Sequence, residues 1–471
     1  MGNNNLLNPD RFFDPEPTIR GIASDLYNDV KDLPLISPHG HVDPRLFAEN
    51  NPFPDPTELL IIPDHYVFRM LYSQGISMES LGIPEIDGSV GESDRRKIWR
   101  IFAENFYLFA GTPSGNWLNY ELYELFDVQK KLTGATADEI YDQIQAKLRT
   151  PEFLPRTMFD RFRLEVLSTT DNPWDSLKYH RQIKESGWNG NIIPCMRPDG
   201  VTDISRADWK TNIEKLSDIS GIWITNYKQL IRAIEDRRIF FKTMGAVSTD
   251  HGVREALTGR LSDAEADRLF QKALSGKASP EDARIFTAHS LMEMARMSCE
   301  DGLIMHLHVG VYRNHNERIF QKYGPDKGAD IPIVSEFTNN LKPLLNAYGN
   351  DRNFNLVVFT LDESTYSREL APLAGHYPAM KLGPAWWFHD SIQGMIRFRQ
   401  STLETTGIYN LVGFIDDTRA FPSIPARHDL ARRIDSNFLA GLIARHIIDI
   451  QEAQIMNHAL AYGLSKKMYL K

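Results

Sequence analysis

Short apolar runs bounded by turn residues recur along the chain, and polar or ionisable residues directly follow most of them. Runs of this kind are typical of buried strands in a parallel sheet, because such strands are covered on both faces. We therefore predict eight strands, at residues 33–37, 165–170, 191–196, 245–248, 303–309, 356–361, 380–382 and 411–415.

Segments with helical periodicity separate the predicted strands. This alternation predicts an α/β protein, and its repetition favours a (β/α)8 TIM barrel. In such a barrel the residues that follow the strands form one rim, where the active sites of barrel enzymes lie. The polar segments after the strands therefore predict a functional site at that rim.

The connections between the predicted strands are uneven and indicate an inserted helical subdomain. We divide the chain into an N-terminal segment with the first barrel strand (1–44), a mainly helical insertion (45–160) and the remainder of the barrel (161–471). A smaller helical insertion is expected near residues 255–300. There, Ser262 and Ser279 each begin the four-residue pattern of a helix N-terminus, with an acidic residue three positions later.

Composition and charge narrow the class of protein. Of the 471 residues, 42% are hydrophobic and 24% are charged, close to the average of globular proteins, so a large core is expected. The formal net charge of −9 argues against a nucleic-acid surface, which needs a basic patch for the phosphates. A few arginines inside a cleft would still attract a small anionic substrate.

Targeting signals and cysteines bear on the compartment. No apolar run reaches the roughly 18 residues of a membrane helix, and the first residues lack the basic and apolar regions of a secretory signal. The two cysteines, Cys195 and Cys299, exclude a disulfide framework and favour a reducing compartment. We therefore expect a cytoplasmic protein with no membrane partner.

His39-Gly40-His41 is the sharpest local signal for a metal site. Side chains two apart on an extended strand point the same way, so both imidazoles can reach one ion. Strands one and eight are neighbours in a closed barrel, so Asp416 or Asp417 would complete the site. Two imidazoles and a carboxylate suit zinc or a similar divalent ion. The alternative is that the histidines bond to backbone and that the acids cap a helix.

Cationic and aromatic residues also cluster after the predicted strands. Arg197, Arg313 and Arg419 would bind a substrate carboxylate there, or else form surface ion pairs. One ring of Trp386-Trp387-Phe388 would stack on a sugar face, or else pack in the core. Tyr66 would lie near the start of a helix and contribute to the site from there. The alternative is an ordinary capped helix with no functional role.

Several motifs, taken in their order along the chain, resemble the uronate isomerase family of the amidohydrolase superfamily. They are SPHGHVDP (37–44), PDHYVFRMLYSQGI (63–76), STTDNPWDSL (168–177), STDHGV (248–253), LHVGVYRNHNERIF (307–320), PAWWFHDSIQGMIRF (384–398) and DDTRAF (416–421). The set is specific, whereas each piece alone is not. The resemblance implies a metal-dependent barrel and reversible isomerisation of D-glucuronate to D-fructuronate and of D-galacturonate to D-tagaturonate.

The resemblance also implies roles for individual residues. The implied metal ligands are His39, His41 and Asp417. The implied catalytic residues are Asp417, Tyr66, His65, Arg419 and His308, and the implied substrate-binding residues are Arg197, Arg313 and Trp387. The implied cofactor is one divalent metal ion, with zinc expected. We also expect a homo-oligomer that binds a small hexuronate.

Isomerisation of this kind needs a base for the C2 proton, an acid at C1 and stabilisation of a cis-enediol intermediate. We hypothesise that Asp417 or Tyr66 handles the C2 proton, with His39 nearby. The sequence leaves open which of the two is the base, whether the metal contacts the reacting oxygens, and which epimer is preferred.

Two other functions compete with this interpretation. A mononuclear metal-dependent hydrolase is the alternative within enzymes; binuclear members of that superfamily carry a lysine on strand four and a histidine after strand six. Here Lys242 lies upstream of the predicted fourth strand, and Asp362-Glu363 follow the sixth. A non-catalytic protein that binds sugar acids is the alternative outside enzymes. The sequence contains no phosphate-binding loop, dinucleotide fingerprint or serine-hydrolase elbow.

Overall fold

Within residues 7–470, the computed structural model of the chain has nine short strands. They are β1 (Leu35–Ser37), β2 (Leu164–Ser168), β3 (Ile192–Ile193), β4 (Ser248–Val253), β5 (Ile304–Val309), β6 (Val311–Tyr312), β7 (Ile331–Pro332), β8 (Leu356–Thr360) and β9 (Met380–Leu382). Residues of β1, β5 and β8 are buried throughout, as expected for strands covered on both faces.

The parallel strands follow one another around a barrel. One sheet has the order β1-β2-β3, and the other has the order β4-β5-β8-β9. Single bridges continue the ring from Met196 to Thr249 and from Leu382 to Leu411. The antiparallel pair β6-β7 lies in a connection. The predicted α/β barrel fold is confirmed, although single contacts rather than continuous ladders join its sheets.

Helices fill the connections, and the described residues contain these α-helices: α1 (Pro17–Val30), α2 (Arg45–Glu49), α3 (Pro56–Leu60), α4 (His65–Ser73), α5 (Arg95–Glu104), α6 (Pro113–Tyr120), α7 (Ala137–Leu148), α8 (Pro155–Arg161), α9 (Lys178–Glu185), α10 (Asp199–Thr202), α11 (Trp209–Ser220), α12 (Tyr227–Thr243), α13 (Asp263–Leu274), α14 (Pro280–Asp301), α15 (Glu317–Tyr323), α16 (Lys342–Tyr348), α17 (Ala371–His376), α18 (Ile392–Thr406), α19 (Ile424–Ala444), α20 (Ile450–His458) and α21 (Leu464–Tyr469). Short 3₁₀ turns lie at Phe106–Phe109, Pro151–Phe153, Trp387–His389, Ile408–Asn410 and Phe421–Ser423. Single π-helical turns lie at Glu121–Leu125, Tyr366–Leu370 and Ala459–Gly463. None of the helices between residues 7 and 470 combines the length and apolarity that a bilayer crossing requires.

Seven of the eight predicted strands overlap observed strands, but the fourth was misplaced and shares only Ser248 with β4. It was expected at 245–248, but β4 begins at Ser248 and continues through Thr249, Asp250 and His251. Gly245 instead lies in a turn with φ +105°. The polar side chains at the start of β4 are buried, and Ser248 and Asp250 contact Cys195 and His308, so a search for apolar runs could not find this strand.

The eighth predicted strand, at 411–415, is not a strand in the structure. Only Leu411 forms a bridge, and Gly413 has φ +82°, a left-handed conformation that interrupts an extended chain. A Cβ atom at Gly413 would lie 2.7 Å from Ser465 Oγ, so the close packing of α21 also requires glycine there. The segment therefore reaches the rim without a ladder of hydrogen bonds.

The long connection between β1 and β2 is helical, from α2 to α8. Its apolar side chains share one core with barrel residues, including Leu35 of β1 and Leu164 of β2. The N-termini expected at Ser262 and Ser279 are confirmed, because both serines form capping boxes at the starts of α13 and α14. The division of the chain into these segments as domains stays a prediction.

Trp99 provides a test of the core that joins α5 to α7. Its side chain is fully buried, and its indole N–H donates to the carbonyl of Ala137 over 2.8 Å. Trp99→Ala should lower the free energy of unfolding by about 3–5 kcal/mol, because it leaves a cavity and an unpaired carbonyl. Trp223, which is 77% exposed, is the control, and Trp223→Ala should change stability by no more than about 0.5 kcal/mol. Equal urea midpoints for the two variants would contradict the prediction that Trp99 stabilises this core.

Candidate active site

The predicted functional residues meet in one cleft of about 1080 Å³ at the end of the barrel. All ten of them line it: His39, His41, His65, Tyr66, Arg197, His308, Arg313, Trp387, Asp417 and Arg419. They come from connections spread over most of the chain, as the rim of a parallel barrel allows. Their individual roles stay predictions at this point.

The first and last barrel segments bring two imidazoles and a carboxylate together. Asp417 Oδ1 lies 3.5 Å from His39 Nε2 and 3.2 Å from His41 Nε2. That carboxylate oxygen is buried and has no hydrogen-bond partner. One ligand atom from each residue lies within 4.8 Å of the others. The donor set and its unpaired oxygen fit a divalent ion such as zinc.

Backbone contacts hold the two segments in this position. The N–H of His41 donates to the carbonyl of Thr418 over 2.9 Å. Between the histidines, a Cβ atom at Gly40 would lie 3.3 Å from that same carbonyl oxygen, closer than an ordinary contact. The small residue therefore lets the first segment approach the last one.

The neighbouring acids Asp416 and Asp417 have different surroundings. Asp416 accepts a hydrogen bond from Ser37 Oγ over 3.1 Å, and its other oxygen lies 3.2 Å from His428 Nε2. Both partners are buried, so Asp416 links β1 to α19 within the core. The structure thus separates two acids that the sequence left as alternatives, and it places Asp417 in the cleft.

Trp386 fixes the second oxygen of Asp417. Its indole N–H donates to Asp417 Oδ2 over 2.6 Å, which leaves Oδ1 facing the histidines. The sequence favoured Trp387 of this pair, and Trp387 does line the cleft, with the Arg313 guanidinium 5.4 Å from its ring centre. Both indoles line the cleft, and nothing in the sequence distinguished the one that holds the carboxylate.

The electrostatic surroundings determine the protonation states of Asp417 and His39. Burial alone would raise the pKa of Asp417, but the neighbouring His39 and His41 hold it well below its usual range. Burial lowers the pKa of His39 to about 4, against the smaller opposing effects of Asp250 and Asp417. At neutral pH the carboxylate is therefore ionised and His39 is neutral, which is the state that metal ligands require.

Asp250, which is not among the predicted site residues, organises a second group of residues. It is fully buried on β4, 2.6 Å from His308 Nδ1 and 3.3 Å from Arg197 Nη1. Burial alone would raise the pKa of Asp250, but Arg197 and His308 hold it well below its usual range. Because the carboxylate is bound to Nδ1, the Nε2 atom of His308 is the one left without a partner. The misplaced fourth strand concealed this residue.

Two further acids hold the arginines of the rim. Arg313 pairs with Asp330 over 2.8 Å, and Arg419 pairs with Asp326 over 3.0 Å. Both acids belong to the connection around β7, where no motif marks them in the sequence. Each pair fixes a guanidinium at the cleft while leaving part of it exposed to a ligand.

His65 and Tyr66 enter the cleft from the first turn of α4. Asp64 caps this helix by accepting the N–H of Tyr66 over 2.8 Å. The two rings are stacked 4.6 Å apart. Burial raises the pKa of Tyr66 above its ordinary value, so the phenol stays protonated. Burial lowers the pKa of His65 to about 3, with Arg419 acting in the same direction.

Arg427, which belongs to α19, connects α4 to the barrel. Its buried guanidinium lies 3.7 Å from the ring centre of Trp117 and 5.5 Å from that of Tyr66. It also donates to Asp390 over 2.7 Å. No sequence pattern marks Arg427, because a charged residue in the first turn of a long helix resembles part of an exposed face.

Comparisons with known proteins identify a family. A family model described as glucuronate isomerase matches residues 18–469. A uronate isomerase of Xanthomonas campestris is 52% identical over 464 residues, which cover 98% of each chain. The crystal structure of glucuronate isomerase from Caulobacter crescentus has a TM-score of 0.97 at 51% identity, covering 98% of this chain and 96% of that one. That of uronate isomerase from Thermotoga maritima has a TM-score of 0.92 at 28% identity, covering 98% and 99%.

Asp171, just after β2, provides a test of the buried charges near the cleft. Burial raises its pKa to about 7, against the hydrogen bond from Thr169 Oγ1. A carboxyl whose pKa is raised on folding destabilises the protein increasingly as the pH rises from its unfolded value toward 7. Asp171→Asn should therefore stabilise the protein at pH 8, by at most about 4 kcal/mol, and by less near pH 5.

Urea unfolding at both pH values measures this difference. Asp218→Asn, at an exposed position of α11, is the control and should show the same small effect at pH 5 and pH 8. A loss of stability in Asp171→Asn at pH 8 would mean that the ionised carboxylate stabilises the fold.

Proposed function

The chain belongs to the glucuronate isomerase family, and from that premise we propose how its own residues carry out the reaction. It is an aldose–ketose isomerase that interconverts D-glucuronate and D-fructuronate. We extend the proposal to D-galacturonate and D-tagaturonate, through a cis-enediol intermediate in both cases. The observation that carries the mechanism is the convergence of His39, His41 and Asp417 inside a cleft lined by arginines.

A hexuronate brings one carboxylate and several hydroxyl groups into this cleft. Arg313 and Arg419 are each held by one acid and are only partly buried, so we assign the C6 carboxylate to them. Arg197 is already balanced by Asp250 and Asp199, and we assign it to hydroxyl groups of the sugar. Trp387 supplies an apolar wall beside them.

His39, His41 and Asp417 would hold one divalent ion, which we expect to be zinc. When bound, such an ion supplies Lewis-acid polarisation of a sugar oxygen. The buried, unpaired Oδ1 atom of Asp417 supports this assignment, because an ionised oxygen without a partner is costly in the folded protein. Trp386 would keep the carboxylate in one orientation through its N–H.

The protonation states favour Asp417 over Tyr66 as the base for the C2 proton. The pKa of the carboxyl is held low by the neighbouring histidines, so it is ionised and can accept a proton. The pKa of the phenol is raised by burial, so Tyr66 can donate a hydrogen bond to an oxygen that gains negative charge. His308 would contact a hydroxyl through Nε2, with Asp250 fixing its tautomer.

The mononuclear hydrolase alternative is not favoured, because the matching family model and relatives are isomerases, and the ligands of a binuclear hydrolase are not in place either. Lys242 lies on α12, and its ammonium group donates a hydrogen bond to the backbone carbonyl of Asp301, away from the cleft. In the part of the chain that the structure describes, β8 is followed by Asp362 and Glu363. Asp362 caps its own turn and Glu363 pairs with Arg397, and no histidine stands at this position.

Other aspects of the function remain our proposals. The two cysteines are not joined in a disulfide, which agrees with a reducing compartment, and we propose that the enzyme acts in the cytoplasm. We also propose that it forms a homo-oligomer.

Exchange of the C2 proton tests the proposed base. In deuterated water, the enzyme should exchange the C2 proton of glucuronate during isomerisation, as followed by NMR. Asp417→Asn should lower turnover by about 10²–10⁴-fold, because it removes the proton acceptor. Asp236→Asn, an exposed site on α12, is the matched control and should keep full turnover.

Two outcomes would contradict this mechanism. Near-normal turnover in a folded Asp417→Asn protein would exclude Asp417 as the base. If Tyr66→Phe instead abolished exchange while Asp417→Asn retained it, the proton would be handled by the phenol.

Metal analysis tests the ligand assignment separately from the chemistry. His41→Ala should reduce the zinc retained after dialysis, because one of three protein ligands is removed. His376→Ala, at an exposed position of α17, is the control and should retain as much zinc as the unchanged protein. Full retention by His41→Ala, measured by elemental analysis, would remove His41 from the site.

A further inference from the structure

A second group of possible ligands lies inside the barrel, behind the cleft. Cys195 follows β3, His306 belongs to β5, and His39 follows β1; each is at most 1% exposed. Side chains from alternate strands fill a barrel interior in layers, and these layers usually consist of branched aliphatic residues. A thiol and two imidazoles are therefore unusual side chains for a barrel interior.

The three side chains are close enough to share one ion. One ligand atom from each lies within 4.8 Å of the other two. Zinc binds sulfur at about 2.3 Å and nitrogen at about 2.0 Å, so a sulfur and a nitrogen on one ion lie at most roughly 4.3 Å apart, and closer in tetrahedral geometry. Small side-chain movements would therefore bring all three to one ion.

Hydroxyl groups contact two of these side chains, at His306 Nε2 and at Cys195 Sγ. His306 Nε2 lies 2.7 Å from the hydroxyl of Tyr469, at the end of α21. When the imidazole donates this hydrogen bond, Nδ1 is left with a free lone pair, as in histidines that bind metals. Ser248 Oγ donates to Cys195 Sγ over 3.4 Å, which stabilises negative charge on sulfur.

The inner atoms of the imidazoles have no partner. His306 Nδ1 and His39 Nδ1 are both buried without a hydrogen bond. Buried polar atoms of this kind are rare in folded proteins, and each one calls for a cause such as a bound ion. The proposed cleft centre does not provide one, because it faces the Nε2 side of His39.

We propose that Cys195, His306 and His39 bind a second, thiophilic divalent ion such as zinc within the barrel. Binding would release the thiol proton of Cys195, since the thiolate is the ligand. If the cleft centre is also filled, the one His39 imidazole would serve both sites, and its remaining N–H proton would pass to solvent. The inference depends on the proposed function only through this shared histidine.

The two proposed ions differ in burial, and an experiment can use this difference to tell them apart. Neither Cys195 nor His306 lines the cleft, so the inner ion should enter during folding and exchange slowly. The cleft ion, in contrast, faces an open space of about 1080 Å³ and should be accessible to a chelator. The full-length protein should therefore be loaded by expression in cobalt-supplemented medium and then treated with EDTA.

The expected signature is thiolate-to-cobalt charge-transfer absorption in the near ultraviolet, which persists after EDTA with about one equivalent of cobalt. Cys195→Ser should lose both the absorption and that equivalent. Cys299→Ser, which changes the other cysteine, is the matched control and should keep both. His41→Ala should keep the absorption while losing the cleft ion, which separates this inference from the proposed function.

Failure is equally visible. Absence of the absorption in the unchanged protein, or its persistence in Cys195→Ser, would overturn the inference. If Cys195→Ser does not fold, X-ray absorption of the unchanged, zinc-loaded protein after EDTA decides the question. One sulfur neighbour at about 2.3 Å supports the site, and a shell of nitrogen and oxygen alone, or no retained zinc, rejects it.

Discussion

The approach of the first barrel segment to the last one is the constraint on which the site depends. It brings the imidazoles of His39 and His41 to one oxygen of Asp417. A single backbone hydrogen bond, from His41 to Thr418, joins the segments where a ladder between strands would be expected. Side chains two apart in an extended segment point the same way, so the imidazoles of His39 and His41 both face this seam and meet the carboxylate there.

Around this seam, the cleft is built from charged groups that are held in pairs. Asp250 supports Arg197 and His308, and Asp330 and Asp326 support the two arginines of the rim. Buried charge is tolerated only when it is compensated, and each pair also fixes the direction of its side chains. The pairing therefore serves two purposes: it lets ionised groups exist in a partly buried cleft, and it orients them before a substrate arrives.

The sequence predicts features that depend on local patterns or on topology. The capping boxes at Ser262 and Ser279 involve four residues each, and the meeting of His39 with Asp417 follows from the order of strands in a barrel. Asp250 was missed because its strand is polar. Asp326 was missed because its loop has no pattern, and its role depends on where the folded chain places Arg419. Such pairs are properties of the assembled rim rather than of any segment.

The helical segment between β1 and β2 is part of the site rather than an appendage to the barrel. It supplies Tyr66 on α4, and its Trp117 packs against the guanidinium of Arg427, which belongs to a helix after the last barrel segment. Arg427 in turn binds Asp390, next to the tryptophans that border Asp417. A buried guanidinium has no favourable alternative partner if these contacts are broken, so it locks the position of α4 relative to the barrel. The phenol is thus placed from outside the barrel, and the carboxylate from within it, by one connected set of buried contacts.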